Sequence, residues 1–295
     1  MCPAGRVSPQ PGGGHKQPIE RLSMEREAKF ELTGFGDEIS PELSEQLDLL
    51  SSEGVRCLEL RGIWGKNVLD LDRGDVERAR QELRSRGMAV SAIASPIGKV
   101  PVDADFEEHL SSFQRALEMA QAFETSYVRI FSFYTPRGEE ERYRDEVVRR
   151  LSVLAHRAED AGVVLLHEND EELFGETPER DLEIMQAVAS PALRTAFDPG
   201  NYVQIGVKPF DQAYPLLADY VEYVHIKDAV LSDGTMRLPG QGDGQIPELL
   251  AALKARGYRG FLSLEPHLTA DGKMSGFSGP VLFAEAIHSL KKLLQ

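Results

Sequence analysis

The chain is poor in cysteine, with only Cys2 and Cys57 among 295 residues. Two cysteines cannot build a disulfide framework or a zinc ribbon, and Cys57, set in an apolar run, reads as a buried core residue. Tryptophan occurs once, at position 64. No stretch reaches the ~20 consecutive apolar residues that a membrane helix needs. Met1 to Lys16 contains no apolar segment suited to a signal peptide. These absences predict a cytoplasmic protein without a membrane partner. Positive charge is also scarce. Lys plus Arg number 33 against 48 Asp plus Glu, and the net charge of −15 repels phosphate backbones, so no nucleic-acid partner is expected. No Gly-x-Gly-x-x-Gly follows the first strand-like run, which counts against a dinucleotide-binding fold.

Hydrophobic residues make up 41% of the chain, enough for a sizeable core. Residues 1–25 read as a disordered tail, leaving 26–295 as the catalytic domain. That length suits either two ordinary domains or one α/β barrel, so the order of elements has to decide. Strand-like apolar runs fall at residues 30–35, 57–60, 89–93, 127–131, 163–167, 193–197, 220–226 and 260–264. Several are continuously hydrophobic, as strands covered on both faces are; Val163-Val164-Leu165-Leu166 is the clearest.

Helical segments fill the gaps. Ser40-Pro41-Glu42 opens the first, with a cap residue followed by Pro in the first turn. Leu43, Leu47, Leu49 and Leu50 then fall near helical spacing, and Gly54 closes it. Segments 75–86, 106–123, 140–161, 178–189, 209–217, 246–256 and 279–294 repeat the pattern. Eight strand–helix units in succession predict a single (β/α)₈ TIM barrel, with function at the C-terminal strand ends.

Those ends are rich in ionisable groups. The fifth strand runs into His167-Glu168-Asn169-Asp170, the sixth into Asp198-Pro199-Gly200-Asn201, the seventh into His225-Ile226-Lys227-Asp228 and the eighth into Glu265-Pro266-His267. In a barrel, Glu168, Asp198, His225 and Glu265 would share one mouth. Three converging carboxylates repel one another and require a counter-charge. One imidazole with three carboxylates is an oxygen-rich set suited to a single divalent ion: Mn²⁺ first, with Mg²⁺, Co²⁺ or Zn²⁺ also fitting. Taken singly, the Asp before Pro-Gly is a common turn former and the His a common structural residue; the matching depth of all four is what points to a metal.

In these four contexts the chain resembles the xylose-isomerase-like TIM barrel superfamily, and within it the sugar-phosphate isomerase/epimerase group. The resemblance implies an isomerase or epimerase of a sugar, keto-sugar or sugar phosphate. It also implies that Glu168 and Glu265 serve both as metal ligands and as acid/base residues on opposite faces of the substrate. A metal-stabilised enolate agrees with that chemistry. The same enolate serves a lyase or dehydratase, and a sugar-binding barrel without catalysis is the third alternative. Two positions depart from the ketose 3-epimerases: Asn201 stands where they carry a His, and Leu231 where they carry an Arg. Asn201 also replaces a zinc ligand of the endonuclease branch.

Glu38, after the first strand, and further polar residues at strand ends are candidates for substrate contact. Arg61, Lys99 and Arg129 either bind a substrate anion or balance Glu38 and the ligand carboxylates. Trp64 either stacks on a sugar ring or caps the barrel. Asn201, Lys227 and His267 follow the ligands closely enough to reach the site, and His167 or Asn169 can support a ligand from behind. The partner expected is a small sugar-like molecule; a homo-oligomer is left open.

Overall fold

The computed structural model describes residues 27–269 and 276–295, and the tail expected over 1–25 lies outside them. Eight parallel strands form the barrel: β1 (Lys29–Gly34), β2 (Cys57–Leu60), β3 (Ala89–Ala94), β4 (Tyr127–Ile130), β5 (Val164–Glu168), β6 (Leu193–Phe197), β7 (Val221–Ile226) and β8 (Arg259–Leu264). Each pairs with its sequence neighbour, and β1 pairs with β8 through six residues. The seam between β1 and β2 narrows to one parallel bridge, Phe35 to Glu59, which closes the ring.

The helices are α1 (Leu43–Ser52), α2 (Arg73–Arg86), α3 (Phe106–Ala122), α4 (Glu140–Asp160), α5 (Pro178–Val188), α6 (Pro199–Gln204), α7 (Tyr214–Leu217), α8 (Ile246–Ala255) and α9 (Gly279–Leu293). Their apolar stripes pack on the outer faces of the strands. Leu47, Leu117, Leu151, Ile184, Leu249 and Ile287 join Leu58, Val128, Leu165 and Leu262 in one core. Truncating one such buried leucine to Ala costs about 2–5 kcal/mol. The lumen holds a second, small cluster of Ala92, Leu166, Ala196 and Tyr223.

The elements depart from the expected pattern at four places. Ser40 does not cap α1 directly. Glu42 occupies the cap position, and the Ser40 hydroxyl accepts from the Glu42 N–H and donates to Glu45. The stretch 209–217 opens as a π-helical turn (Pro209–Ala213) before α7, where Pro215 lacks the N–H that a regular α-helix would pair with the Asp211 carbonyl. Asp198-Pro199-Gly200 is not a simple turn; it is the start of α6. Cys57 is half-buried rather than core, since it is the first residue of β2 at the open bottom of the barrel.

Candidate metal centre

The site follows from side-chain alternation. Leu166, Ala196 and Tyr223 point into the lumen. Along a strand every second residue shares a face, so Glu168, Asp198 and His225 also point inward, one step nearer the mouth. Glu265 follows Ser263 in the same way. All four are buried, and one ligand atom from each lies within 4.8 Å of the others.

Each is held by its surroundings. Asp198 caps α6, its Oδ1 accepting from the Asn201 N–H at 2.9 Å, so Oδ2 is left for the centre. Asn169 clamps the same residue: its Nδ2 donates to the Asp198 carbonyl at 2.9 Å and its Oδ1 accepts from the Asp198 N–H at 3.0 Å. Asn201 Nδ2 donates to Glu168 Oε1 at 3.2 Å and to the Asn169 carbonyl at 2.8 Å. The His225 ring is wedged edge-on between Phe35 and Tyr223. Its Nδ1 lies 3.2 Å from Glu168 Oε1, and 3.8 Å from both Asp198 Oδ2 and Glu265 Oε2.

Basic side chains surround the carboxylates. Arg129 donates to Glu168 Oε2 at 2.7 Å. Arg61 donates to Glu265 Oε1 and to Asp37 Oδ2, both at 2.8 Å. Lys227 Nζ lies 3.1 Å from Asp198 Oδ2 and 3.2 Å from Glu265 Oε2. Burial alone would raise the pKa of Glu168, but His225 and Arg129 hold it well below the usual carboxylate range. Burial likewise opposes the low pKa of Glu265, which Lys227, His267 and Arg61 impose. His225 is pushed well above its ordinary value: burial disfavours its charge, while Glu168 and Glu59 outweigh burial.

This arrangement fits a divalent cation. His225 Nδ1 has no hydrogen-bond partner, and Asp198 Oδ2 meets Lys227 as an ion pair without hydrogen-bond geometry. Three carboxylate oxygens and one imidazole nitrogen are a hard, anionic donor set. Glu38, Glu265 and His267 form an adjoining cluster. There the Arg61 guanidinium already takes Glu265 Oε1, and burial, with Glu265, pushes Glu38 up to about 7 against the opposing pull of His267.

Above the ligands opens a cavity of about 360 Å³, lined among others by Arg61, Lys99, Arg129, Asn201, Lys227 and His267. Six of the eight residues expected to contact substrate therefore reach it. Trp64 and Glu38 do not line it. The Trp64 ring is covered by the Arg78 guanidinium, 4.1 Å away, and its backbone turns with φ +53°. Glu38 lies behind His267, accepting from the His267 N–H at 2.9 Å and the Ser278 hydroxyl at 2.6 Å. Lys99 pairs with Asp170 at 2.5 Å. His167 faces outward, its Nδ1 2.9 Å from Asp181 on α5, so of the two flanking residues it is Asn169 that bonds one of the four candidate ligands.

Sequence reasoning passed over Glu59, which lies 3.4 Å from His225 Nε2. Its signal was available: a carboxylate between two leucines in a buried strand, on the same face as Arg61. Asn67, Tyr134, Glu171 and Glu172 also line the cavity and were not singled out.

With the geometry established, comparison with known proteins places the site in context. A family model described as xylose isomerase-like TIM barrel matches residues 47–293. A 2-epi-5-epi-valiolone 7-phosphate 2-epimerase from Actinoplanes sp. is 33% identical over 97 residues, which is 33% of this chain and 34% of that protein. The match thus spans about a third of that relative's length. Among solved structures, the probable 3-DHS dehydratase AsbF from Bacillus anthracis superposes with a TM-score of 0.69 at 17% identity, covering 89% of this chain and 98% of that one. The 3-keto-D-glucoside 4-epimerase YcjR from E. coli gives 0.68 at 18% identity, covering 90% and 99%. At these identities the structural likeness is one of fold.

Proposed function

The chain belongs to the xylose isomerase-like TIM barrel family, and from that premise we propose that it is a divalent-metal-dependent isomerase or epimerase of a sugar, keto-sugar or sugar phosphate. The observation that carries the proposal is the convergence of Glu168, Asp198, His225 and Glu265, buried at one mouth with ligand atoms within 4.8 Å of one another. Such a set belongs to chemistry at a carbonyl flanked by hydroxyls. A bound ion there would polarise the carbonyl and its neighbouring hydroxyl, lowering the cost of an adjacent carbanion.

The chain's own groups supply the proton transfers. Glu168 comes from β5 and Glu265 from the end of β8, with the ends of β6 and β7 between them. A substrate held between them presents one face to each. One carboxylate removes the proton next to the carbonyl and the other returns it, either to the same carbon from the opposite face or to the neighbouring carbon. The first outcome is epimerisation and the second isomerisation. Arg129 and Arg61 fix the rotamers of the two glutamates by holding one oxygen of each. Lys227 and His267, at the cavity wall beside Glu265, are placed to meet substrate oxygens. The likeness of fold to a probable dehydratase supports a second reading, in which the same enolate expels a β-hydroxyl.

One experiment tests these together. The protein is stripped with EDTA, repleted with Mn²⁺ and incubated in D₂O with ketoses, keto-sugars and their phosphates. Deuterium gained beside the carbonyl only with metal is the expected result. Exchange accompanied by loss of water selects the dehydratase. Sugar binding without exchange on any compound overturns catalysis in favour of a binding barrel.

A further inference from the structure

Glu59 on β2 is fully buried, and neither of its oxygens has a partner in hydrogen-bond geometry. An ionised carboxylate so placed is costly unless something nearby needs it. The groups next to it are the His225 imidazole, with Nε2 3.4 Å from Glu59 Oε1, and the Tyr223 hydroxyl.

We propose that Glu59 is a positioning residue of the metal centre: its carboxylate receives the Nε2–H of His225 and turns the Nδ1 lone pair toward the ion. The inference rests on the metal reading above. Phe35 and Tyr223 pack the ring edge-on at 78° and 90°, with centroids 5.2 and 5.8 Å away. This wedge fixes the ring plane but cannot choose which nitrogen carries the proton. The carboxylate does choose. With Nε2 protonated, an N–H faces Glu59 and a lone pair faces Glu168, Asp198 and Glu265. With Nδ1 protonated, an N–H would face the ion and a lone pair would face the carboxylate, so both ends would be repulsive.

The lumen beneath supports the same arrangement. Thr33 Oγ1 and Ser91 Oγ are 2.8 Å apart, and Ser91 Oγ lies 2.9 Å from the Tyr223 hydroxyl. The Tyr223 hydroxyl in turn meets Glu59. A polar chain thus runs through β1, β3 and β7 beneath the site to Glu59 and ends on the metal-facing histidine. The competing role is counter-charge for Arg129, which also feels Glu59. Arg129 already has Glu168 at 2.7 Å for that purpose.

The test is a Mn²⁺ titration of the full chain and of Glu59→Gln and Glu59→Asp, paired with ¹⁵N-histidine NMR of the Mg²⁺-loaded protein. Glu59→Gln is expected to weaken Mn²⁺ binding about 10- to 100-fold, with Glu59→Asp between it and the parent. The parent spectrum is expected to show His225 protonated at Nε2, with that tautomer lost or mixed in Glu59→Gln. A Glu59→Gln affinity within twofold of the parent overturns the proposal and leaves Glu59 to Arg129, as does a parent spectrum with the proton on Nδ1. If Glu59→Gln does not fold, the Asp variant and the parent spectrum decide. A parent chain that binds no Mn²⁺ overturns the metal centre itself, and that outcome is seen before any substitution.

Discussion

Asp198 does two jobs with its two oxygens, and substitution can separate them. Oδ1 caps α6 through the Asn201 N–H; Oδ2 faces His225 and Lys227. Asp198→Asn keeps an oxygen for the cap while removing the anion. Asp198→Ala removes both, with a further loss of about 1 kcal/mol for the cap. Before any ion is added, the Asn variant loses the Lys227 pair, a cost of roughly 1–3 kcal/mol. It is softened because Glu265 still holds Lys227 at 3.2 Å. Metal at 100 times its Kd stabilises the parent by about 2.7 kcal/mol, which raises Tm by roughly 5–10 °C for a chain of this size. Thermal melts with EDTA and with Mn²⁺, for parent, Asn and Ala variants, read all these terms. The expected result is a Mn²⁺-dependent rise in the parent that vanishes in both variants, with Ala melting below Asn in EDTA. An undiminished Mn²⁺ rise in Asp198→Asn would refute the assignment of Oδ2 as a ligand.

Three other predictions concern other residues. Glu265→Gln should lower kcat by about 100- to 10,000-fold in a chain that still folds; a variant turning over at near-parent rates removes Glu265 from the acid/base role. Glu38 has its pKa raised from 4.5 to about 7, chiefly by burial. Its contribution is therefore fully present below pH 4.5 and lost as pH rises through 7, up to about 3 kcal/mol. Denaturant midpoints of the metal-free protein should decline across that window, and Glu38→Gln should flatten the decline; an equal slope in both rules out Glu38 as its source. Gly98 has φ +91°, and a Cβ there would lie 2.1 Å from the Phe131 carbonyl oxygen, so Gly98→Ala should cost roughly 2–4 kcal/mol or more in urea unfolding. An unchanged midpoint would mean that this loop has room to move.

The barrel was legible because strand and helix periods differ. Each buried strand is a short apolar run and each covering helix an amphipathic one, so the eight units could be counted, and strand ends fell within one or two residues of expectation. The convergence of the four candidate ligands was legible for a related reason. Glu168, Asp198, His225 and Glu265 sit where a hydrophobic strand meets its loop, and a barrel brings those places together at one mouth. Structure at the ends of the chain's local signals was harder to read. Asp-Pro-Gly is the signature of a turn and also of a capped helix, and only the Asn201 N–H on Asp198 Oδ1 decides between them. Residue type left Trp64 open between a sugar platform and a cap on the barrel, and its ring lies under the Arg78 guanidinium, away from the cavity. Glu59 was overlooked because it lies inside a strand, where alternation marks it as inward but no loop marks it as functional.

The sequence also left open whether the basic residues bind a substrate anion or balance the ligand carboxylates, and the geometry favours balance for the arginines. Arg129 holds Glu168 Oε2, while Oε1 is the oxygen facing His225. Arg61 holds Glu265 Oε1, while Oε2 is the one facing His225. Both guanidiniums thus grip the oxygens turned away from the centre, which an ion would leave in place. Lys227 differs. Its ammonium sits on Asp198 Oδ2 and Glu265 Oε2, the same oxygens that face the centre. Like charges a few ångströms apart in a buried site repel by several kcal/mol even at an effective dielectric of about 20. A lysine and a divalent ion cannot both keep those contacts. Gly200 leaves the side chain no slack toward α6, since a Cβ there would already lie 2.5 Å from Lys227 Cγ. The ammonium's free direction is the cavity it already lines, so on the metal reading the cation that compensates the carboxylates would be turned toward that cavity once an ion bound.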